Sequence, residues 1–277
     1  MTDTIMVSVI CNAYNHEKYI RDALEGLVTQ KTDFAFEVLV HDDASTDHTA
    51  DIIREYEKKY PDIIKPIYQK VNQYSQKKSI GVNFQYPRIR GKYVAVCEGD
   101  DYWTDTYKLQ KQYDLMEAHP EIDLCAHGYK VLNMQNNEIK DVRLFDHITV
   151  ISAKDVIKIG GQGLATASLF YRAEMNKNVP EFRRIQNMDY TIQIQGALRG
   201  GVLYLPDMMC VYRSCVDSSW TDRMRKNPEK KIVHKKKRIV MLRQLNKDTN
   251  GEYKWIIWKI QLLERIKIIL LKSGICR

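Results

Sequence analysis

Two short apolar runs in this chain stop in the same way, at a pair of aspartates. Phe36 to Val40 leads into His41-Asp42-Asp43, and Tyr93 to Cys97 leads into Glu98-Gly99-Asp100-Asp101. Short runs rich in β-branched and aromatic residues read as buried strands. Parallel strands share one carboxyl edge, so both acid pairs belong at the edge where open α/β sheets bind ligands. Carboxylates crowded together repel unless a positive charge lies between them. A hard divalent cation matches carboxylate oxygens best. The Glu98–Asp101 turn therefore has two readings: a Mg²⁺ or Mn²⁺ site that also holds phosphate, or an acidic turn capping the helix that starts near Asp105. Gly99 permits a sharp turn and close approach by a ligand.

The flanking pattern supplies the parallel sheet. Ile5 to Cys11 is a continuous strand-like run ending in Asn12-Ala13-Tyr14-Asn15. Glu17 to Thr29 places Tyr19, Ile20, Ala23, Leu24, Leu27 and Val28 on one helical face. Thr49 to Tyr60 reads as a second helix, Lys65 to Gln69 as a third strand, and Gly81 to Ile89 as a helix broken at Pro87. The order is strand–helix repeated, which predicts a parallel sheet with helices on its faces. Thr106 to His119 predicts a helix with Leu109, Tyr113, Leu115 and Met116 inward. Leu124 to Leu132 and Thr166 to Tyr171 predict strands, with a helix at Lys154 to Ile159 and the Gly160-Gly161-Gln162-Gly163 loop between them. Val202 to Leu205 and Met208 to Tyr212 predict the closing strands.

Three segments together resemble the N-terminal signatures of family 2 glycosyltransferases: Val7-Ser-Val-Ile-Cys-Asn-Ala-Tyr-Asn15, His41-Asp-Asp-Ala-Ser-Thr-Asp47 and Cys97-Glu-Gly-Asp-Asp-Tyr-Trp103. That resemblance covers roughly the first 120 residues. It implies a GT-A fold, a mixed α/β sheet with helices on both faces, acting on nucleotide-diphosphate sugars. It implies that Ala13, Tyr14 and Asp43 hold base and ribose, that Glu98 faces the ribose or the metal shell, and that Asp100, with Asp101 beside it, binds Mn²⁺ or Mg²⁺. The usual Asp-x-Asp begins here with Glu98. Asn187-Met188-Asp189-Tyr190 opens a helix, and the resemblance makes Asp189 the catalytic base of an inverting displacement; an aspartate N-cap has the same appearance. Tyr212-Arg213 matches a Tyr-Arg of many relatives, and Arg213 pairs either with the diphosphate or with a structural carboxylate. The His that often follows is absent, so the metal shell relies on Asp100 with diphosphate and water, or on Asp217 as substitute. Trp220 either closes over the nucleotide sugar or packs. A sugar-nucleotide pyrophosphorylase is disfavoured because no glycine-rich loop follows the first strand. An inactive sugar-binding relative is the remaining rival.

Charge divides the chain. Residues 222–277 carry 17 Lys/Arg against 5 Asp/Glu, whereas residues 1–221 carry 26 against 30. The expected organisation is a catalytic domain over 1–221, with a nucleotide-sugar half at 1–120 and an acceptor half at 121–221, and a basic helical extension over 222–277. Basic charge mixed with Trp255, Trp258 and many Ile/Leu suits an anionic membrane surface. A hairpin packed back on the body and a homodimer interface are the alternatives. Nucleic acid is disfavoured, since no recognition motif accompanies the charge. Six cysteines without CxxC spacing fit reduced structural thiols, not a disulfide framework or zinc site. No signal-peptide pattern or long apolar run is seen, so the expected location is cytoplasmic. The resemblance to family 2 enzymes implies in addition a peripheral position at the inner membrane face, a lipid-linked glycan as acceptor and a UDP-sugar as donor.

Overall fold

The computed structural model describes residues 4–161, 163–186, 188–216 and 219–273. Its elements follow the sequence period closely at first: β1 (Ile5–Ala13), α1 (Ile20–Val28), β2 (Ala35–Asp42), α2 (Thr49–Lys59), β3 (Ile64–Tyr68) and β4 (Tyr93–Val96). These four strands are parallel, in the order β3-β2-β1-β4. Ala13 pairs with Asp42, so β1 and β2 end level; β4 ends at Val96 opposite Ile10, and its following turn reaches the end of β1 through Gly99 N–H on Asn12 C=O. Both acid pairs emerge at that one edge. Between β3 and β4 a π turn (Gly81–Gln85) runs into a 3₁₀ turn at Pro87 (Tyr86–Arg88).

The second half makes the sheet mixed. It contains β5 (Tyr102–Trp103), α3 (Lys108–Ala118), β6 (Leu124–Asn133), β7 (Ile139–Val142), β8 (Thr149–Ile151), α4 (Ala153–Ile159), β9 (Phe170–Arg172), α5 (Glu181–Ile185), α6 (Asp189–Ala197) and β10 (Val202–Ser214). β9 is antiparallel to β4 and to β6, and β6 is parallel to β10. Three expectations change here. Thr166–Ser168 is a 3₁₀ turn, and the strand begins only at Phe170. The two closing strands are one, β10, which absorbs Pro206 through register shifts between Leu205 and Val211; a bulge tolerates the missing amide hydrogen of proline. On α3 the fully buried positions include Lys108 and Gln112, while Tyr113 and Leu115 are only partly covered. Lys108 bonds Gln112 Oε1 at 2.7 Å and lies 3.9 Å above the Trp103 ring, which explains how an ammonium group is accommodated there.

Strand alternation splits the core into two. Val7, Val9 and Cys11 face one side with Leu24, Leu27, Val38 and Ile53. Ile10, Val94 and Val96 face the other with Phe182, Ile194 and Tyr190. The basic tail forms α7 (Trp220–Lys226), α8 (Pro228–Asp248) and α9 (Lys254–Lys272). Met241, Leu242, Leu245 and Ile257 join the second core, so α8 and α9 pack back on the body. The boundary expected at 221/222 falls inside α7. Cys11, Cys97, Cys125 and Cys210 are buried free thiols; Cys276 lies outside the described residues.

Candidate active site

The site is built where β1, β2 and β4 end. Asn12 at the end of β1 is its hub. Its carbonyl accepts Gly99 N–H at 2.8 Å, its Oδ1 accepts from Gln85 Nε2 at 3.0 Å, and its Nδ2 faces Glu98 Oε1 at 3.4 Å. Gly99 is required by packing: a Cβ there would lie 2.8 Å from His16 Nδ1, 3.0 Å from Ile20 Cδ1 and 3.1 Å from Ala13 Cβ. The turn after β1 is sewn to the turn after β2. Asn15 N–H donates to Ser45 Oγ at 3.0 Å, Asn15 Oδ1 accepts Thr46 N–H at 2.8 Å, and His16 N–H donates to Thr49 Oγ1 at 2.7 Å. Asp47 caps α2 through Thr49 N–H at 3.0 Å and also accepts Glu17 N–H at 3.1 Å.

The acids differ in what they do locally. Burial, and then the nearby Asp100 charge, push Glu98 up to about 8. Val96 N–H at the end of β4 donates to Leu169 C=O at 3.3 Å, and Thr166 of the same short turn bonds Asp189 at 2.8 Å, which brings the start of α6 near the β4 acids. Asp101 is 3% exposed and raised well above the usual carboxylate range by burial and by Asp100, although its Oδ1 accepts Arg213 N–H at 2.8 Å. Asp100 is partly exposed, with His16 Nε2 4.0 Å from its Oδ2. Burial pulls the His16 imidazole below its ordinary range, opposed by the Asp100, Asp47 and Asp42 charges, and its Nδ1 has no partner among the described residues. Asp189 starts α6; its Oδ2 accepts from Thr166 Oγ1 at 2.8 Å and its Oδ1 from Tyr190 N–H at 2.7 Å. Burial raises its pKa as well.

Other expected site residues have specific partners. Asp43 is 5% exposed, and its two oxygens accept the N–H groups of Gln73 at 2.7 Å and Tyr74 at 3.0 Å. It therefore shapes the 72–74 loop. Ala13 is buried and accepts Asp43 N–H at 2.9 Å, while Tyr14 is exposed at the rim. Arg213 has a carboxylate partner in place. Its guanidinium pairs with Asp22 of α1, donates to Asp100 C=O at 3.0 Å, and lies 4.4 Å from the Tyr102 ring and 5.2 Å from that of Tyr19. The pairing fastens the acid turn to α1. Trp220, 40% exposed, meets His234 of α8 edge-on with centroids 5.2 Å apart. Asp217 lies outside the described residues, as does Gln162 of the 160–163 loop. Sequence reasoning missed Asn12, His16, Asp22 and Thr166. The available signal was position alone: Asn12 and His16 flank the first strand's turn, opposite both acid pairs.

Glu98 and Asp101 crowd against the partly exposed Asp100, a set of charges that a divalent cation would relieve. Among the described residues, however, no group of three or more His, Cys, Asp and Glu side chains is arranged to hold one.

The sheet order and the acid-lined edge define a GT-A fold. A solved structure of Staphylococcus aureus TarS (residues 1–349) in complex with UDP-GlcNAc has this fold, at TM-score 0.64 and 18% identity, over 99% of this chain and 74% of that one. Residues 8–217 match Glycosyl transferase family 2, and the chain belongs to that family. It is 34% identical over 231 residues to the uncharacterised Mycobacterium tuberculosis protein Rv1520, covering 78% of this chain and spanning 62% of the relative's length. It is 35% identical over 111 residues to the putative teichuronic acid biosynthesis glycosyltransferase TuaG of Bacillus subtilis, covering 40% of this chain and 42% of that protein.

Proposed function

We propose that this glycosyltransferase moves a sugar from a UDP-sugar to a hydroxyl of a bacterial surface glycan carried on a lipid, with inversion and with help from a divalent cation. The observation that carries the reading is that the Thr166–Leu169 segment, which bonds Asp189 at the start of α6, also bonds the end of β4 next to Glu98 and Asp100. UDP-GlcNAc in the TarS complex and the teichuronic acid assignment of TuaG support the donor and acceptor classes.

The nucleoside would lie along Ala13 and the exposed Tyr14 ring, with Asp43 acting from behind by fixing the 72–74 wall. Asp100, with Glu98 and Asp101 adjoining, would hold Mn²⁺ or Mg²⁺. That ion supplies charge neutralisation for the departing diphosphate. Arg213 positions the Asp100–Asp101 turn against α1. Asp189 removes the acceptor proton as the hydroxyl attacks the anomeric carbon opposite the leaving group. Its raised proton affinity suits a base, and the Thr166 hydroxyl keeps the charged form accessible. Trp220 and α7 would border the acceptor side, near an inner membrane surface contacted by residues 222–277.

The test is Asp189→Asn. Sugar transfer is expected to fall by about 10²–10⁴-fold, with calorimetric binding of UDP in Mn²⁺ unchanged. Normal transfer by this variant removes Asp189 as base. UDP binding indifferent to Mn²⁺ and to Asp100→Asn removes the metal role.

A further inference from the structure

The helical wheel of α9 explains why its charges do not gather on one side. At about 100° per residue, Ile257, Glu264 and Ile268 form the face turned to the body. Trp255, Trp258, Leu262, Ile266 and Ile269 form a second stripe about 80° wide on the opposite face. That outer stripe is uncovered: Trp255 is 75% exposed, Trp258 57% and Ile269 64%. The charges lie to the sides, Lys254, Arg265 and Lys272 along one and Lys259 and Lys267 along the other, where the exposed Leu263 lies between them. Lys254 Nζ lies 5.5 Å from the centre of the Trp255 ring, so its stem follows the indole while its head stays in water. The buried Glu264, the only acid of α9, is already held by Lys235 at 2.9 Å and Arg238 at 3.6 Å, so every exposed charge on this helix is basic.

We propose that this outer face of α9 docks on an anionic lipid bilayer, with the helix lying in the plane of the interface. Two tryptophans and three branched aliphatic side chains would enter the headgroup–acyl boundary, and the basic sides would meet the headgroups. No helix among the described residues is long and apolar enough to cross a membrane, so the helix rests on the bilayer. A second copy fits less well, because twofold pairing of the stripe would oppose the same basic sides. The inference deepens the reading of a lipid-carried acceptor, which would bring donor site and carrier to one surface.

The experiment is co-sedimentation of the full chain with vesicles of phosphatidylcholine alone and of phosphatidylcholine with phosphatidylglycerol, and sizing by analytical ultracentrifugation. The comparison is Trp255→Ser/Trp258→Ser/Ile266→Ser, whose three side chains point away from the body and whose fold is checked by circular dichroism. Expected is binding to the anionic vesicles only, weakened by salt, and at least about tenfold weaker in the triple variant. No binding by the wild-type chain, or equal binding by the variant, overturns the proposal. So does a wild-type dimer, dissolved by the triple substitution, that leaves vesicles unbound; that result makes the face a self-interface. Neither donor nor acceptor enters these measurements, so failure here leaves the transferase reading untouched, and loss of the Asp189 role leaves vesicle binding untouched.

Discussion

At the scale of single residues, the site is tuned by burial more than by ion pairing. Glu98 moves from 4.5 to about 8 on folding, because burial and the Asp100 charge both oppose its ionisation. The folded state therefore binds a proton that the unfolded state releases. Stability from Glu98 is fully present below about pH 4.5 and is lost as pH rises towards 8. Metal-free protein should lose thermal stability across that window, and Glu98→Gln should flatten the decline. Melting temperatures measured in chelator at several pH values check it; an unchanged slope in the variant would show that Glu98 is already ionised. Gly99 acts by size. In Gly99→Ala the new methyl meets His16, Ile20 and Ala13 within 3.1 Å, and overpacking of this kind costs about 1–3 kcal/mol. Urea unfolding measures that loss, and the shifted acid turn should weaken nucleotide affinity at the same time.

At the scale of elements, loops that look independent in sequence are fastened to one another. Asp43 closes β2 onto the 72–74 segment by accepting two backbone N–H groups. Asp43→Ala would leave those donors unpaired at about 1–3 kcal/mol. Hydrogen exchange at the Gln73 and Tyr74 amides should accelerate, and UDP affinity should fall with it. An exchange rate like that of the parent would mean that the loop is held by other contacts. Arg213 makes a similar link between β10, the acid turn and α1. These ties join residues 30 to 191 positions apart; periodicity, which reads one segment at a time, carries no information about them.

At the scale of the whole molecule, the basic C-terminal helices belong to the structure of the catalytic body. Met241, Leu242, Leu245 and Ile257 fill the second core, at about 1.5–3 kcal/mol for each fully buried side chain. Their sum is comparable with the total margin of about 5–15 kcal/mol typical of folded proteins. A chain ending at Asn227 should therefore fail to fold, yielding aggregated protein without a cooperative melting transition. A soluble, cooperatively melting fragment would show that the first core suffices. The outward face of α9 and its inward face thus have separate duties, which explains a helix apolar on two sides.

The sequence by itself determined the order of strand and helix through the first 120 residues and the meeting of both acid pairs at one edge. Period-two and period-3.6 patterns are local, and parallel strands have only one carboxyl end. Only the tertiary structure decided the rest. It made β10 one bulged strand because β6 pairs along its whole length, and it buried Lys108 because Gln112 and Trp103 receive its head. It brought His16 to Asp100, closed Arg213 on Asp22, and turned one stripe of α9 inward and the other out. Each depends on which distant side chains become neighbours, and that is fixed by the packing of the whole chain.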